Sequence, residues 1–349
     1  MSQVPHQLSE IAARTDIALA EIFREERARW SALDPAVDVP LADLEAFVEG
    51  GGKRLRPAYV HWGFVTGGGD PYSDVQLAGC CAVELLQAFA LVHDDVMDGS
   101  PTRRGHPTVW AKFIARHRAG DWQGEDRRFG EAAAILVGDI AIVMADRQLT
   151  GTPLPVREIW DALRTELNMG QYLDVIGTAT GEITAEGARL IMKHKTAGYT
   201  IVRPLQIGAA LAGHPELADA LAAHGMPLGI AFQLRDDMLG AFGDSEKTGK
   251  PVGDDLREGK PTVLLANARD AASAAQLEVL DRVGRPDLTD DDVSAIQQVM
   301  VDTGAVDASE RETSQLLGDA ISAIEALPDH HDSQAALRAL ADFVVERDT

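Results

Sequence analysis

Apolar residues recur at three- and four-residue spacing through almost the whole chain, and this periodicity constrains the fold most. It places apolar side chains on one face of an α-helix, whereas the alternation of a half-buried strand occurs in no convincing run. Glycine and proline clusters separate the segments. The clearest segments are 8–30, 73–97, 130–150, 156–176 and 186–211. We therefore predict an all-α helical bundle that forms a single domain over residues 1–349.

The 349 residues carry a net charge of −23, and 45% of them are apolar. An acidic surface repels nucleic acid, which needs clustered basic residues, so we expect no nucleic-acid partner. The longest apolar stretch, 132–145, is interrupted by Asp139. A membrane helix needs about 18 apolar residues, so we predict no membrane span. Cys80 and Cys81 are adjacent and give no disulfide framework, and no signal-peptide pattern is seen, which together favour the cytoplasm.

A first acidic motif follows an almost wholly apolar helical run. It consists of Asp94, Asp95 and Asp98. Asp94 and Asp98 are four residues apart, so they share one face of a helix, with Asp95 beside them. Carboxylates this close repel one another without a cation, and hard oxygen ligands suit Mg²⁺. A solvated acidic helix end is the alternative interpretation.

A second acidic pair, Asp236 and Asp237, closes another apolar run at 226–232, directly after Gln233. Two such pairs are harder to explain as solvated helix ends than one. The run 290–292 also consists of aspartates, but it follows Thr289 at a predicted helix start. There the carboxylates cap free N–H groups, so we interpret that run as structural.

Basic residues stand close to both acidic motifs. Lys53 and Arg56 are three apart and are predicted to share one helical face. In a chain this acidic, such residues are candidate diphosphate ligands, arginine through forked hydrogen bonds and lysine as a point charge. The further candidates are Arg103, Arg104, Lys195, Lys250 and Lys260.

Together these motifs resemble those of the trans-isoprenyl diphosphate synthases, the polyprenyl synthetase family, and most of all the bacterial type of geranylgeranyl diphosphate synthase. The resemblance runs from about residue 47 to 262. Its segments include GGKRLRP at 51–57, DDxxD at 94–98, Lys195-Thr196, 233–237 and 259–262. It implies an isoprenoid synthase helical bundle with a central apolar cavity. It also implies head-to-tail 1'-4 condensation of isopentenyl diphosphate with dimethylallyl, geranyl or farnesyl diphosphate.

The resemblance also implies a role for each matching residue. Direct ligands of a cluster of three Mg²⁺ ions would be Asp94, Asp98 and Asp236. Supporting carboxylates would be Asp95, Asp237 and Asp174. The allylic diphosphate would be bound by Arg103, Lys195, Lys250 and Lys260. Isopentenyl diphosphate would be bound by Lys53, Arg56, Gln87 and Arg104. The groups that position the reacting cation would be Thr196 and Gln233.

Two features of the chain can be compared with the family that it resembles. The second motif usually ends in a third aspartate, where this chain has Gly240. Phe89 and Ala90 precede Asp94 by five and four residues. Family members with an aromatic residue only at the former position tend to stop at geranylgeranyl length, so we expect a product of twenty carbons. Family members are usually homodimers, and we expect one here.

Four other interpretations are kept. The product could be farnesyl or a longer polyprenyl diphosphate. A class I terpene cyclase shares the fold and DDxxD, but normally has a different second metal motif. A His-Asp metal phosphohydrolase could use His93 and Asp94, but no further histidine has a suitable spacing. A non-catalytic partner subunit would typically have lost its acidic motifs.

Overall fold

The computed structural model describes residues 6–181, 184–243 and 252–345, and these are helical almost throughout, which confirms the all-α prediction. The α-helices, in chain order, are α1 (His6–Trp30), α2 (Asp38–Glu49), α3 (Leu55–Thr66), α4 (Asp74–Met97), α5 (Val109–Ala119), α6 (Asp126–Gln148), α7 (Leu154–Thr180), α8 (Ala185–Ile191), α9 (Arg203–Leu211), α10 (Ala218–Phe242), α11 (Asp254–Glu258), α12 (Val263–Ala271), α13 (Ala274–Leu280), α14 (Asp290–Asp302), α15 (Ala305–Ile324) and α16 (Ser333–Val345). Short 3-10 turns occur at Pro35–Val37 and Pro215–Leu217.

Helix starts follow the capping chemistry of the sequence. Ser73 accepts a hydrogen bond from the Val75 N–H at 3.3 Å and thereby caps α4. At α14, Thr289 and Asp292 form a capping box, in which each side chain accepts from the other residue's backbone N–H. This confirms the structural interpretation of the aspartate run at 290–292.

The segment 186–211, predicted as a single α-helix, is not α-helical throughout. It contains α8, a π-helical stretch at Met192–Val202, and α9. Hydrogen bonds in a π-helix run from residue i to i+5, and such turns are frequent at functional sites. Apolar spacing is too coarse to distinguish a π-helical turn from an α-helical one, so the sequence analysis missed it.

The chain divides into two compact units. One consists chiefly of Glu158–Gln206 and Pro215–Thr349, and the other of His6–Arg157 and Ile207–His214. The prediction of a single domain stays a prediction.

Helix α4 forms the core of the unit that contains His6–Arg157. Its residues Val83, Leu85 and Leu86 are at most 1% exposed. It is also the one helix in the described ranges that is long and apolar enough to cross a membrane, and 61% of its most apolar window is buried inside the protein. The segment 73–97 was predicted as a helix, but only 132–145 was considered as a possible membrane span. Cys80 and Cys81, also in α4, are buried and free.

In the other unit, α10 and α15 pack against each other, and α12 and α14 add an apolar cluster. Leu264, Leu265, Ile296 and Met300 of that cluster are completely buried. The same cluster contains Ala241 of α10 together with residues of α11. Apolar burial therefore fixes the short helix α11 against the end of α10.

Arg54 joins three helices from the turn before α3. It donates hydrogen bonds to Asp16 of α1 at 2.8 Å, to Glu84 of α4 at 2.6 Å and to the Val48 carbonyl of α2 at 2.8 Å. The Arg54 and Glu84 side chains are only 6% and 7% exposed. Burial by itself lowers the Arg54 pKa, but Glu84 and Asp16 outweigh it and raise the pKa. The sequence analysis gave Arg54 no role.

We expect Arg54→Met to lower the free energy of unfolding by about 3–5 kcal/mol, because Glu84 stays buried without its cation. Arg54→Met/Glu84→Gln should recover much of that loss. Arg27 also bridges α1 to α2, but its partner Asp38 is 37% exposed. The control Arg27→Met should therefore cost about 1 kcal/mol or less. Urea unfolding measures all three variants, and equal losses for Arg54→Met and Arg27→Met would contradict the argument.

Candidate active site

The first aspartate motif lies at the C-terminal end of α4, and Asp98 caps the helix. Asp95 is 1% exposed, the Asp94 side chain is 17% exposed, and Asp98 is exposed. A helix C-terminus carries a partial negative charge, so carboxylates there add to a negative potential. The motif therefore needs compensating positive charge.

Arg103 supplies part of this positive charge. Its Nε donates to Asp95 Oδ1 at 2.7 Å, and its Nη2 donates to Asp94 Oδ2 at 3.2 Å. Burial lowers the Arg103 pKa, but Asp95 and Asp94 outweigh burial and raise it above its ordinary value. Arg103 is thus hydrogen-bonded to two carboxylates of the first motif.

A two-residue hairpin, which no alternating pattern predicted, positions Arg103. Strand β1 (Thr102–Arg103) pairs with β2 (His106–Pro107). The turn residues Arg104 and Gly105 have positive φ angles of 52° and 76°. Two successive positive φ angles are typical of the type I′ turn, which suits a tight hairpin and favours glycine. The tight turn holds Arg103 against α4.

The predicted isopentenyl diphosphate ligands are brought together in part. Arg104 donates to the Gly51 carbonyl, and its pKa is lowered first by burial and then by like charges that include Arg103 and Arg56. The prediction that Lys53 and Arg56 share a helical face is wrong, because α3 begins at Leu55 and Lys53 lies in the non-helical segment before it. Lys53 is exposed there, whereas its neighbour Arg54 is buried.

The part of α4 that precedes the first motif carries Gln87 and the predicted chain-length residues Phe89 and Ala90. Gln87, Phe89 and Ala90 are all half-buried. The Phe89 ring packs edge-on against His93, with ring centroids 4.7 Å apart. His93 Nε2 lies 2.9 Å from the Ile135 carbonyl of α6, so the ring that Phe89 contacts is held in place. A side chain packed in this way can act as a fixed steric boundary.

The second aspartate motif, in α10, is the end of a hydrogen-bond chain. Thr196 Oγ1 donates to Gln233 Oε1 at 2.6 Å, and Gln233 Nε2 donates to Asp237 Oδ1 at 2.7 Å. Asp237 is 4% exposed, and burial raises its pKa well above the ordinary value, with the Gln233 hydrogen bond opposing that shift. Asp236, next to it, is half-buried. The structure thus brings together Thr196 and Gln233, which were predicted to act together, and adds Asp237 to them.

Lys195 belongs to the same π-helical stretch as Thr196. Its Nζ donates to Asp174 Oδ2 of α7 at 2.6 Å. The close approach of α7 to this stretch depends on Gly170, since a Cβ there would lie 2.6 Å from the Lys195 backbone nitrogen. The lysine and its carboxylate partner are therefore positioned by the packing of two backbones.

The remaining predicted lysines lie after α10. Lys260 Nζ lies 2.6 Å from Glu258 Oε2 and 3.5 Å from Asp255 Oδ1. Lys250 lies outside the described residues.

The donor chemistry of both motifs fits magnesium. All candidate ligands are carboxylates, the hard oxygen donors that Mg²⁺ prefers, and each motif has a member with access to solvent, Asp98 in one and Asp236 in the other. Within the described residues, no group of three or more His, Cys, Asp or Glu side chains is arranged as a metal cluster. Mg²⁺ commonly takes one or two carboxylates and completes its shell with water and substrate phosphate, so these motifs can hold it.

Comparisons with known proteins agree with this chemistry. The family model described as polyprenyl synthetase matches residues 41–300. The (2E,6E)-farnesyl diphosphate synthase of Mycobacterium tuberculosis is 32% identical over 306 residues, which cover 85% of this chain and 80% of that protein. The geranylgeranyl diphosphate synthase of Methanosarcina mazei is 30% identical over 346 residues, which cover 95% and 99% of the two chains.

A solved structure is similar over nearly the whole length. It is the geranylgeranyl pyrophosphate synthase of Corynebacterium glutamicum, complexed with isoprenyl diphosphate and magnesium. The TM-score is 0.91 at 38% identity, and the match covers 97% of this chain and 99% of that one. Because the family model spans most of the chain and these relatives extend over nearly all of it, the protein belongs to the polyprenyl synthetase family and is a prenyltransferase of the trans-isoprenyl diphosphate synthase type.

Proposed function

We propose that this enzyme condenses isopentenyl diphosphate head to tail with an allylic diphosphate and makes geranylgeranyl diphosphate. The observation that carries the proposal is the first aspartate motif, in which Arg103 already binds Asp94 and Asp95 while Asp98 stays exposed. Such a motif combines a cation for an anionic leaving group with oxygen ligands for a metal. The starter is dimethylallyl, geranyl or farnesyl diphosphate.

In this proposal, Asp94, Asp98 and Asp236 are direct ligands of three Mg²⁺ ions. Bound magnesium would supply positive charge to the departing diphosphate. The supporting carboxylates are Asp95, Asp237 and Asp174, each of which is buried and hydrogen-bonded to Arg103, Gln233 or Lys195. A hydrogen-bonded carboxylate has a fixed orientation, which is what support of a ligand shell requires.

The basic residues divide between the two substrates. Those assigned to the allylic diphosphate are Arg103, Lys195, Lys250 and Lys260. Those assigned to isopentenyl diphosphate are Lys53, Arg56, Arg104 and, as a hydrogen-bonding residue, Gln87. Burial lowers the Arg104 pKa most, and the like charges of nearby arginines lower it further, which supports an anion at this position because a diphosphate would offset that repulsion.

The bond changes follow from these charges. The allylic C–O bond breaks, its electron pair leaves with the diphosphate, and an allylic cation remains. The double bond of isopentenyl diphosphate attacks that cation and forms the new C–C bond. The carbon next to the new cationic centre then loses a proton to the released diphosphate. Thr196 and Gln233 help to position the groups around the cation, since the hydrogen bond between them holds both side chains.

We expect Asp94→Ala and Asp236→Ala each to lower kcat/KM by about 10³-fold or more, because each removes charge that stabilises the leaving diphosphate. The control Asp291→Ala, at the start of α14, should leave activity unchanged. The assay uses Mg²⁺, isopentenyl diphosphate and each of the three starters, with products separated by chromatography. Undiminished turnover in both alanine variants would sink the proposal.

The same assay separates the competing functions. A cyclase would release a cyclic hydrocarbon from the allylic substrate alone. A phosphohydrolase would release an alcohol or phosphate. A non-catalytic subunit would give no product until a partner is added.

Product length tests the assignment of Phe89. If its ring limits the growing chain, Phe89→Ala should shift the product beyond twenty carbons, because removal of the ring opens space along α4. The control Phe129→Ala removes an aromatic ring of α6 that is 36% exposed and should leave product length unchanged. An identical product distribution in Phe89→Ala would show that some other residue sets the length.

We also propose that the enzyme is a cytoplasmic homodimer. Helix α7 exposes an apolar stripe, with Met169 at 60%, Tyr172 at 61%, Leu173 at 39% and Ile176 at 41%. Its spacing of three, four and seven residues is that of a single helix face, and a solvent-exposed stripe of this kind favours a protein partner. The two free, buried cysteines are compatible with a reducing compartment.

Analytical ultracentrifugation measures the assembly. The wild type should sediment at twice the chain mass of 37.4 kDa, and Tyr172→Glu should shift it towards the monomer because it places a charge in the stripe. Ile17→Glu is the control, since Ile17 is 73% exposed on α1. A monomeric wild type at micromolar concentration would contradict the dimer.

A further inference from the structure

The second aspartate motif lacks a third carboxylate at Gly240, and the space beside that glycine is filled by Asp255. A Cβ added at Gly240 would lie 2.5 Å from Asp255 Cγ and would overlap Asp255 Oδ2. Gly240 follows Asp236 and Asp237 by four and three residues, so its side-chain direction is on their face of α10. The Asp255 carboxylate therefore lies where a side chain of residue 240 would begin.

The local backbone explains how Asp255 reaches this position. It belongs to α11, a helix of five residues between Gly253 and Gly259, whose φ angles are +70° and +73°. Such left-handed residues allow the chain to enter and leave a short helix abruptly. The Lys260 N–H donates to the Asp255 carbonyl at 3.0 Å and closes the turn.

The residues that directly follow Gly240 and Asp255 are packed in one apolar cluster. Leu256 is 3% exposed and Ala241 is 3% exposed, and both belong to one buried apolar cluster. Leu256 follows Asp255, and Ala241 follows Gly240. The pairing of residues 240 and 255 is thus held by a core contact, because a shift of α11 would expose Leu256.

Charge interactions support the same proximity. Burial is the main cause of the raised Asp237 pKa, and Asp255 raises that pKa further while Lys260 lowers it. The Asp255 side chain is 15% exposed, so its interaction with Asp237 is only partly screened. Asp255 therefore belongs electrostatically to the second motif, although 18 residues separate it from Asp237 in the chain.

We propose that Asp255 supplies, from α11, the carboxylate that α10 lacks at position 240. It is a positioning residue, which supports the metal ligand Asp236 by accepting hydrogen bonds from water in the ligand shell. Mg²⁺ retains several waters in most protein sites, so such a carboxylate has donors to bind. This inference rests on the proposed function, in which Asp236 holds magnesium.

The alternative role of Asp255 is structural, as a partner of Lys260. Two carboxylates approach that lysine, and Glu258 is the nearer, at 2.6 Å against 3.5 Å for Asp255. Glu258→Gln is therefore a matched control, since it removes a carboxylate from the same lysine and leaves the space beside Gly240 unchanged.

The test is an exchange of the two positions. Its variants are Asp255→Asn, Asp255→Ala, Gly240→Asp, the exchange variant Gly240→Asp/Asp255→Ala, and Glu258→Gln. The readout is the Mg²⁺ concentration that gives half of the maximal rise in Tm with inorganic pyrophosphate present, measured beside the Mg²⁺ dependence of condensation. Asp255→Asn keeps the size of the side chain, so the test remains decisive if Asp255→Ala folds poorly.

We expect Asp255→Asn and Asp255→Ala to raise that Mg²⁺ concentration by about 10- to 100-fold, as loss of a carboxylate that supports a ligand shell does. Gly240→Asp alone should lower the Tm without ligand, because two side chains then compete for one space. The exchange variant should restore the Mg²⁺ concentration to within about threefold of the wild type, and Glu258→Gln should leave it unchanged.

Either of two results overturns the proposal on its own: an unchanged Mg²⁺ concentration in Asp255→Asn, or an exchange variant no better than Asp255→Ala. In both cases a wild type that condenses its substrates leaves the proposed function standing. A wild type that gains no Mg²⁺-dependent stability from pyrophosphate and forms no product would overturn both.

Discussion

Compensation of buried carboxylates is the constraint on which the rest of this structure depends. An ionised carboxylate away from water is costly unless a cation or several hydrogen-bond donors accompany it. Glu84 has Arg54, Asp95 has Arg103, and Asp174 has Lys195. In each pair the cation comes from a different element than the carboxylate. The pair that makes burial tolerable therefore also fixes the element that carries the basic side chain.

Asp237 is compensated differently, by a neutral side chain. Gln233 donates its amide N–H to Asp237 and accepts from Thr196 with its carbonyl oxygen. Because the amide is bonded at both ends, its orientation is determined by the network. A single neutral donor offsets burial only in part, which is consistent with the raised Asp237 pKa. The hydrogen bond to Asp237 in the second motif therefore brings no positive charge, whereas Arg103 compensates part of the negative charge of the first motif.

Sequence patterns predicted the helices well, because amphipathic burial is a local property. The predicted segment 156–176 lies inside α7, which is Leu154–Thr180, and 73–97 matches α4 to one residue. The grouping of Asp94, Asp95 and Asp98 also followed from local spacing. Local spacing could not reveal features that depend on backbone conformation. The non-helical segment at Lys53 and the hairpin turn at Arg104 both contain positive φ angles, which apolar periodicity does not encode.

Contacts between residues distant in the chain were equally beyond local patterns. Arg54 is hydrogen-bonded to residues 38 positions before it and 30 positions after it. In the sequence, only its neighbours Lys53 and Arg56 were recognised as candidate phosphate ligands. No sequence pattern assigned a role to Asp255. Gly240 was recognised as a departure, but the sequence could not show what fills the space that a glycine leaves.

The basic side chains around Arg104 serve both the stability of the protein and the proposed binding of substrate. A chain of net charge −23 that binds anions must concentrate its positive potential in a small region. Burial lowers the Arg104 pKa most, the like charges of Arg103, Arg54 and Arg56 lower it further, and Glu84 raises it. Glu84 and Asp95 compensate Arg54 and Arg103, so the repulsion at Arg104 is only partly relieved within the protein. We infer that this region is prepared for a diphosphate held by cations alone, whereas the carboxylates of the aspartate motifs would repel a diphosphate unless metal intervenes. In this proposal, the two substrates carry the same anionic group and are distinguished by whether cationic side chains or metal ions compensate its charge.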